Sequence, residues 1–123
     1  MIFRTVEISD IPQIQIIERE YYEGFSLPKK ILRSWIKKLP ENFIVAIDKN
    51  TLVGFIFFEY LEKEKAISFI HNVDKTHKLD GNYLYISEIG VLNKYGSGLM
   101  QRLLKKALEK GREDKTKVAI WLI

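Results

Sequence analysis

The chain of 123 residues contains no cysteine, which excludes disulfides and thiolate metal centres and suits a reducing compartment. Histidine is almost as scarce. His71 and His77 stand without clustered carboxylates at ligand spacing, so no metal site is expected and both read as loop residues. With three prolines and seven glycines, the composition is far from collagen-like or Pro/Gly-rich disordered chains. No stretch approaches the roughly 18 consecutive apolar residues of a membrane-spanning helix. The opening residues Met1-Ile2-Phe3-Arg4-Thr5-Val6-Glu7 also lack the basic start, apolar block and small-residue cleavage site of a secretory signal. The expectation is a cytoplasmic protein with no membrane partner.

What is present is enough apolar material for one core: 46% hydrophobic and 12% aromatic residues beside 29% charged ones. A chain of this size is expected to form one domain over residues 1–123. Twenty Lys and Arg against 16 Asp and Glu leave a net charge of +4, which favours anionic ligands. Lys105, Lys106, Lys110, Arg112, Lys115 and Lys117 make the last predicted helix and its exit basic. Neither an aromatic stacking platform nor a recognition-helix motif accompanies them, so nucleic acid is not the expected partner.

Alternation over Ile2 to Ile8 predicts a strand. Ser9-Asp10-Ile11-Pro12-Gln13 then reads as a helix start, with Asp10 as the cap and Gln13 completing a capping box. Ile11, Ile14, Ile17 and Tyr21 recur on one helical face, and Gln15, Glu18, Arg19 and Glu20 are assigned to the other. Gly24 interrupts the pattern. A second helix opens at Ser26-Leu27-Pro28, turns Leu32, Trp35 and Ile36 inward and ends at Pro40. Phe43 to Ile47 and Leu52 to Phe58 flank the turn-rich Asp48-Lys49-Asn50-Thr51 and predict a hairpin. Further strands are expected at Ala66 to Ile70 and Tyr83 to Leu92, with a polar loop through Asp80-Gly81-Asn82 between them. Leu99, Leu103 and Ala107, beside Met100, Leu104 and Leu108, form two apolar rows of the clearest helix, which Gly111 is expected to stop. Val118 to Ile123 reads as a buried strand. The order is strand, helix, helix, strands, helix, strand, an α/β (α+β) arrangement.

A strand that passes through a glycine-rich turn into a helix N-terminus is a generic anion site, because unpaired N–H groups and the helix dipole converge there. Gly96-Ser97-Gly98 fits that description. Two stretches extend it: Leu52-Val53-Gly54-Phe55-Ile56, and Ile89-Gly90-Val91-Leu92-Asn93-Lys94-Tyr95 running into Gly96-Ser97-Gly98-Leu99-Met100-Gln101-Arg102-Leu103-Leu104. With these segments in this element order, the chain resembles the GNAT superfamily of acetyl-CoA-dependent N-acetyltransferases. The resemblance spans essentially all of the chain and is sharpest between Tyr83 and Gly111. It implies a mixed, mostly antiparallel central sheet flanked by helices, with acetyl-CoA as co-substrate. It also implies direct attack on the thioester by a primary amine, whether a protein N-terminus, a polyamine or a small amine. On the matching positions, Ile89, Gly90 and Val91 resemble the strand edge that pairs with pantetheine. Gly96, Ser97 and Gly98 resemble the end of the pyrophosphate loop, where glycine lets the backbone approach the diphosphate closely.

Two departures accompany the match. The R/Q-x-x-G-x-G/A signature is incomplete, because the family carries a further basic, glycine-containing stretch between positions like Tyr95 and Gly96, which are adjacent here. The family also follows its fifth strand with a helix and two more strands that have no counterpart before Ile123. A second copy of the chain, in a homodimer, is the expected cover for an apolar terminal strand.

Direct transfer requires a neutral amine, a proton acceptor and donors for the tetrahedral oxyanion. The resemblance implies Glu88 as the base, three residues before Val91 on the strand lining the acetyl site. Partial desolvation raises such a carboxyl toward a useful range. The stretch from Glu20 to Phe25 corresponds to the family's variable acceptor wall, and Tyr22, Glu23 and Phe25 are its expected contacts, suited to a cationic amine. Tyr83 and Tyr85 have the opposite strand parity from Glu88 and are assigned to core packing. The competing reading is a GNAT-fold binding module without turnover; a small basic nucleic-acid-binding protein is the more distant one.

Overall fold

The computed structural model describes residues 1–62 and 70–114, together with the backbone of 118–120. Strand β1 (Ile2–Thr5) leads through a single 3-10 turn into α1 (Ile11–Tyr21) and then α2 (Lys29–Lys38). Strands β2 (Phe43–Asp48) and β3 (Thr51–Leu61), a short α3 (Val73–Thr76), β4 (Tyr83–Val91), α4 (Gly96–Glu113) and β5 (Val118–Ile120) follow. The five strands form one sheet in chain order, antiparallel from β1 to β4, with β5 parallel to β4. This is the mixed, mostly antiparallel sheet that the resemblance implies. Most of the strand expected at Ala66 to Ile70 lies outside the described residues, as do Lys115, Lys117 and the end of the strand expected to reach Ile123.

The β2–β3 hairpin closes tightly because Lys49 and Asn50 take φ of 50° and 65°, the left-handed pair that matches the twist of two antiparallel strands. Along β3 every residue from Leu52 to Leu61 is buried, so alternation sorts side chains between two covered faces rather than between core and water. Phe55 and Phe57 pack with Ile14, Ile17 and Trp35 of α1 and α2. Ile56 and Phe58 pack with Leu99, Leu103 and Ala107 of α4. The Trp35 and Phe57 rings stack at 4.5 Å with 14° between their planes, and truncating a buried aromatic of this kind costs about 3–5 kcal/mol.

Several local expectations are corrected. Asp10 does not cap α1 with its side chain. Its carboxylate accepts from the Glu7 N–H at 2.8 Å and from the Arg4 guanidinium at 2.9 Å, so the capping box belongs to the preceding 3-10 turn. Gln13 reaches instead to the Leu52 carbonyl at 3.1 Å. Gly111 does not stop α4; it is buried in the last turn, and the cap falls at Asp114. The greatest change concerns Glu18, which is fully buried rather than on the polar face of α1.

Candidate active site

The site is built where β4 leaves the sheet. Phe57 pairs with Glu88 and Phe58 with Ile86, so Ser87 is an extra residue in β4 and forms a bulge. A bulge advances strand parity by one. Below it Ile86 faces α4; above it Ile89 and Val91 face α4, while Glu88 and Gly90 turn to α1. Tyr85, paired with Glu59, and Tyr83, paired with Leu61, consequently share the face of Glu88. The parity argument that separated them fails because the sequence gives no sign of the bulge.

The register also sets the backbone. The Leu92 N–H bonds to the Val53 carbonyl at 2.9 Å, so in an antiparallel ladder the amides of Leu92, Gly90 and Glu88 face β3. The N–H and C=O groups of Ile89 and Val91 then point the other way. Among the described residues β5 pairs only with Tyr83, Leu84 and Tyr85, and no described strand lies on the outward edge of β4 beyond them. Gly90 offers no outward amide and serves contact instead. A Cβ there would meet Phe55 Cε1 at 3.0 Å and Ile17 Cγ2 at 3.3 Å, so glycine lets α1 lie directly on β4.

That close approach brings the carboxyls of Glu18 and Glu88 within hydrogen-bonding reach of each other. Glu18 is 0% and Glu88 2% exposed. Glu18 Oε1 accepts from the Leu27 N–H at 3.1 Å. Glu18 Oε2 and both oxygens of Glu88 meet no donor among the described residues. Burial pushes Glu88 well above the ordinary carboxylate range, and the adjacent Glu18 acts in the same direction. Burial also raises Glu18, against the lowering effect of the adjacent Glu88 carboxyl, the Leu27 N–H and the Arg19 charge. Tyr22 closes the group: its hydroxyl donates to the Ile89 carbonyl at 3.1 Å, and burial, followed by the nearby Glu88, keeps it protonated.

Of the expected acceptor wall, the structure thus brings Tyr22 to Glu88. Glu23 and Phe25 sit exposed on the turn after α1, where Glu23 and Gly24 have φ of 54° and 99°. Beyond Val91, the Asn93 N–H bonds to Glu20 at 3.1 Å and the Tyr95 hydroxyl to Asp48 at 2.6 Å. A 3-10 turn over Asn93–Tyr95 then runs directly into α4 at Gly96. Gly96 has φ of +58°, and a Cβ at Gly96 or Gly98 would meet nothing within 4 Å. The Gly96 N–H donates to the Asn93 carbonyl, while the next N–H groups of the first α4 turn have no acceptor within their own helix.

Two features were missed from the sequence. Glu18 follows Ile11 and Ile14 at helical spacing and precedes Tyr21, so it lies on the apolar stripe itself; an acid on that stripe was the available signal. His71 is no free loop residue: its Nε2 lies 2.6 Å from Glu59 Oε1. His77 Nδ1 accepts from the Tyr60 N–H at 3.1 Å.

Residues 11–123 match the family model described as the Acetyltransferase (GNAT) family, and the chain belongs to that family. No curated protein sequence matches. The loading GNATL domain of CurA from Lyngbya majuscula superposes with a TM-score of 0.78 at 17% identity, covering 97% of this chain and 63% of that one. A ribosomal-protein-alanine N-acetyltransferase from Brucella melitensis gives 0.71 at 16% identity over 98% of this chain and 73% of its own. A GphF GNAT-like decarboxylase in complex with isobutyryl-CoA gives 0.69 at 16% identity, over 87% of this chain and 59% of its own. At these identities the likeness is one of fold. The chain spans less than two thirds of the GphF and CurA structures.

Proposed function

We propose that this chain transfers an acetyl group from acetyl-CoA to a primary amine by direct attack. The observation that carries this reading is a buried carboxyl, Glu88, with no donor among the described residues, beside a strand edge that no described strand covers and that leads to the start of α4. In this reading the outward amides of Ile89 and Val91 receive the pantetheine arm, and Gly90 keeps α1 close. The N–H groups of Ser97 and Gly98 receive the pyrophosphate, with Gly96 beside them holding its own N–H on the Asn93 carbonyl and the helix dipole favouring the anion. The acceptor amine enters beside Tyr22, with Glu23 and Phe25 on its outer wall. Glu88 takes the amine proton through a water, and outward strand amides donate to the developing oxyanion. Among the described residues no group of three or more potential metal ligands occurs. Among those same residues no helix is long and apolar enough to cross a membrane, and a cytoplasmic setting goes with this reading.

The test is calorimetric titration of acetyl-CoA followed by thiol release with a peptide N-terminus, a polyamine and a small amine. Saturable stoichiometric binding and thiol release with at least one amine are expected. Absence of binding sinks the reading. Binding without turnover on any amine supports the alternative, a GNAT-fold binding module, which the direct join of Tyr95 to Gly96 favours.

A further inference from the structure

The buried acid pair does more than supply a base. Two carboxylates in contact, both out of water, cannot both be charged, so the pair carries a proton at rest. Its position follows from the donors. Glu18 keeps the Leu27 N–H on Oε1 and has the Arg19 charge nearby, and both favour the negative charge on Glu18 against the effect of its burial. Glu88 meets no donor among the described residues, which favours the proton on Glu88. The remaining groups around the pair are Tyr22, with Tyr21 beside it on α1, and the apolar Phe57 across β4. A glutamate that is already protonated is no base by itself, yet it becomes one if its proton has somewhere to go.

We propose that Glu18 and Glu88 act as one proton-sharing dyad, with Glu18 as the positioning residue that accepts the proton of Glu88 while Glu88 takes another from the acceptor amine. This rests on the transferase reading above. The amine nitrogen attacks the thioester carbon and a C–N bond forms. The ammonium proton passes through water to the free oxygen of Glu88, whose original proton moves to Glu18 Oε2. The C–S bond then breaks with its electron pair on sulfur, and the thiolate takes up the proton returned through Glu88, which restores the dyad.

Glu18→Gln separates this role from a structural one, because the glutamine carbonyl still accepts from the Leu27 N–H but cannot take a proton. The expected result is a loss of kcat of about 100-fold or more, with acetyl-CoA affinity and the thermal midpoint retained. Combining it with Glu88→Gln is expected to add little, as for groups that work as a unit. A Glu18→Gln enzyme within twofold of wild-type kcat, or losses that multiply in the double variant, overturns the proposal. Infrared spectroscopy gives a readout without substrate: a protonated carboxyl band persisting at pH 7 in the wild type and absent in Glu88→Gln. A wild type without the band, or a variant that keeps it, overturns the shared proton. If the band behaves as expected but no amine is acetylated, the transferase reading and the role in turnover fall, while the shared proton stands.

Discussion

Glu59 and Glu88 are buried on one face of the sheet, on neighbouring strands, and they differ in what meets their oxygens. Glu59 lies 2.6 Å from His71 Nε2 through Oε1 and accepts from Thr76 Oγ1 at 3.0 Å through Oε2. Among the described residues Glu88 meets no donor and has the carboxyl of Glu18 beside it. The first arrangement ties residues 71–76 onto β3 and satisfies both oxygens, as a buried acid in a stable core requires. The second leaves a buried acid that must hold a proton. Burial of a carboxyl therefore does not mark chemistry by itself; the nature of its partner does.

The sharpest way to break this contrast is to remove each group in turn. Glu88→Gln is expected to lower kcat by about 10²–10⁴-fold, the usual contribution of a positioned base, while calorimetry shows acetyl-CoA still bound. His71→Ala is expected to leave kcat near wild type. If both variants lose activity alike, the distinction between a reactive and a structural glutamate fails.

Stability should show the reverse order. His71→Ala strips one partner from a fully buried carboxyl and removes a ring 5.3 Å from that of Trp35. A loss of roughly 3–5 kcal/mol in chemical denaturation is expected from breaking such a pair. Glu88→Gln lets an amide donate to Glu18, and a change within about 1 kcal/mol is expected.

These contrasts explain what the sequence disclosed and what it withheld. Element order, the hairpin and the α4 rows were legible because periodicity and turn residues are local. The glycine start of α4 was legible for the same reason, since Gly96-Ser97-Gly98 directly precedes the apolar helical repeat. The Ser87 bulge was hidden because it exists only as a mismatch between β3 and β4, and without it the face of Tyr85 relative to Glu88 comes out wrong. Glu18 was misassigned by giving polarity priority over position on the helix. The pairing of Glu59 with His71 spans 12 residues and has no local signature.

A smaller effect, and one that tests the protonation of Glu88 in another way, is the pH dependence of folding. Its carboxyl is raised in the folded state, so above the ordinary value of 4.5 the native chain binds more protons than the unfolded one. Stability from this group is complete below that value and is lost as pH rises through the folded pKa, at up to about 1.4 kcal/mol per pH unit for one proton. Denaturant midpoints are expected to fall with pH across this window in the wild type and to flatten in Glu88→Gln. An unchanged slope in the variant would place the uptake elsewhere.

The smallest effect belongs to the other end of the strap that Glu59 anchors. His77 must be neutral to accept from the Tyr60 N–H, and burial lowers its pKa below the ordinary 6.5. Here the unfolded chain binds more protons, so the sign is opposite: stability is complete above 6.5 and is lost as pH falls through the folded value. The bond at risk contributes on the order of 1 kcal/mol. In His77→Gln the amide carbonyl takes over as acceptor without titrating, and the acid-side decline is expected to weaken while the alkaline decline tied to Glu88 persists. Melting curves of both variants across pH would then separate two limbs of opposite sign. A His77→Gln profile identical to wild type on the acid side would show that the strap does not sense protons, leaving the acid pair as the pH-dependent element of this face.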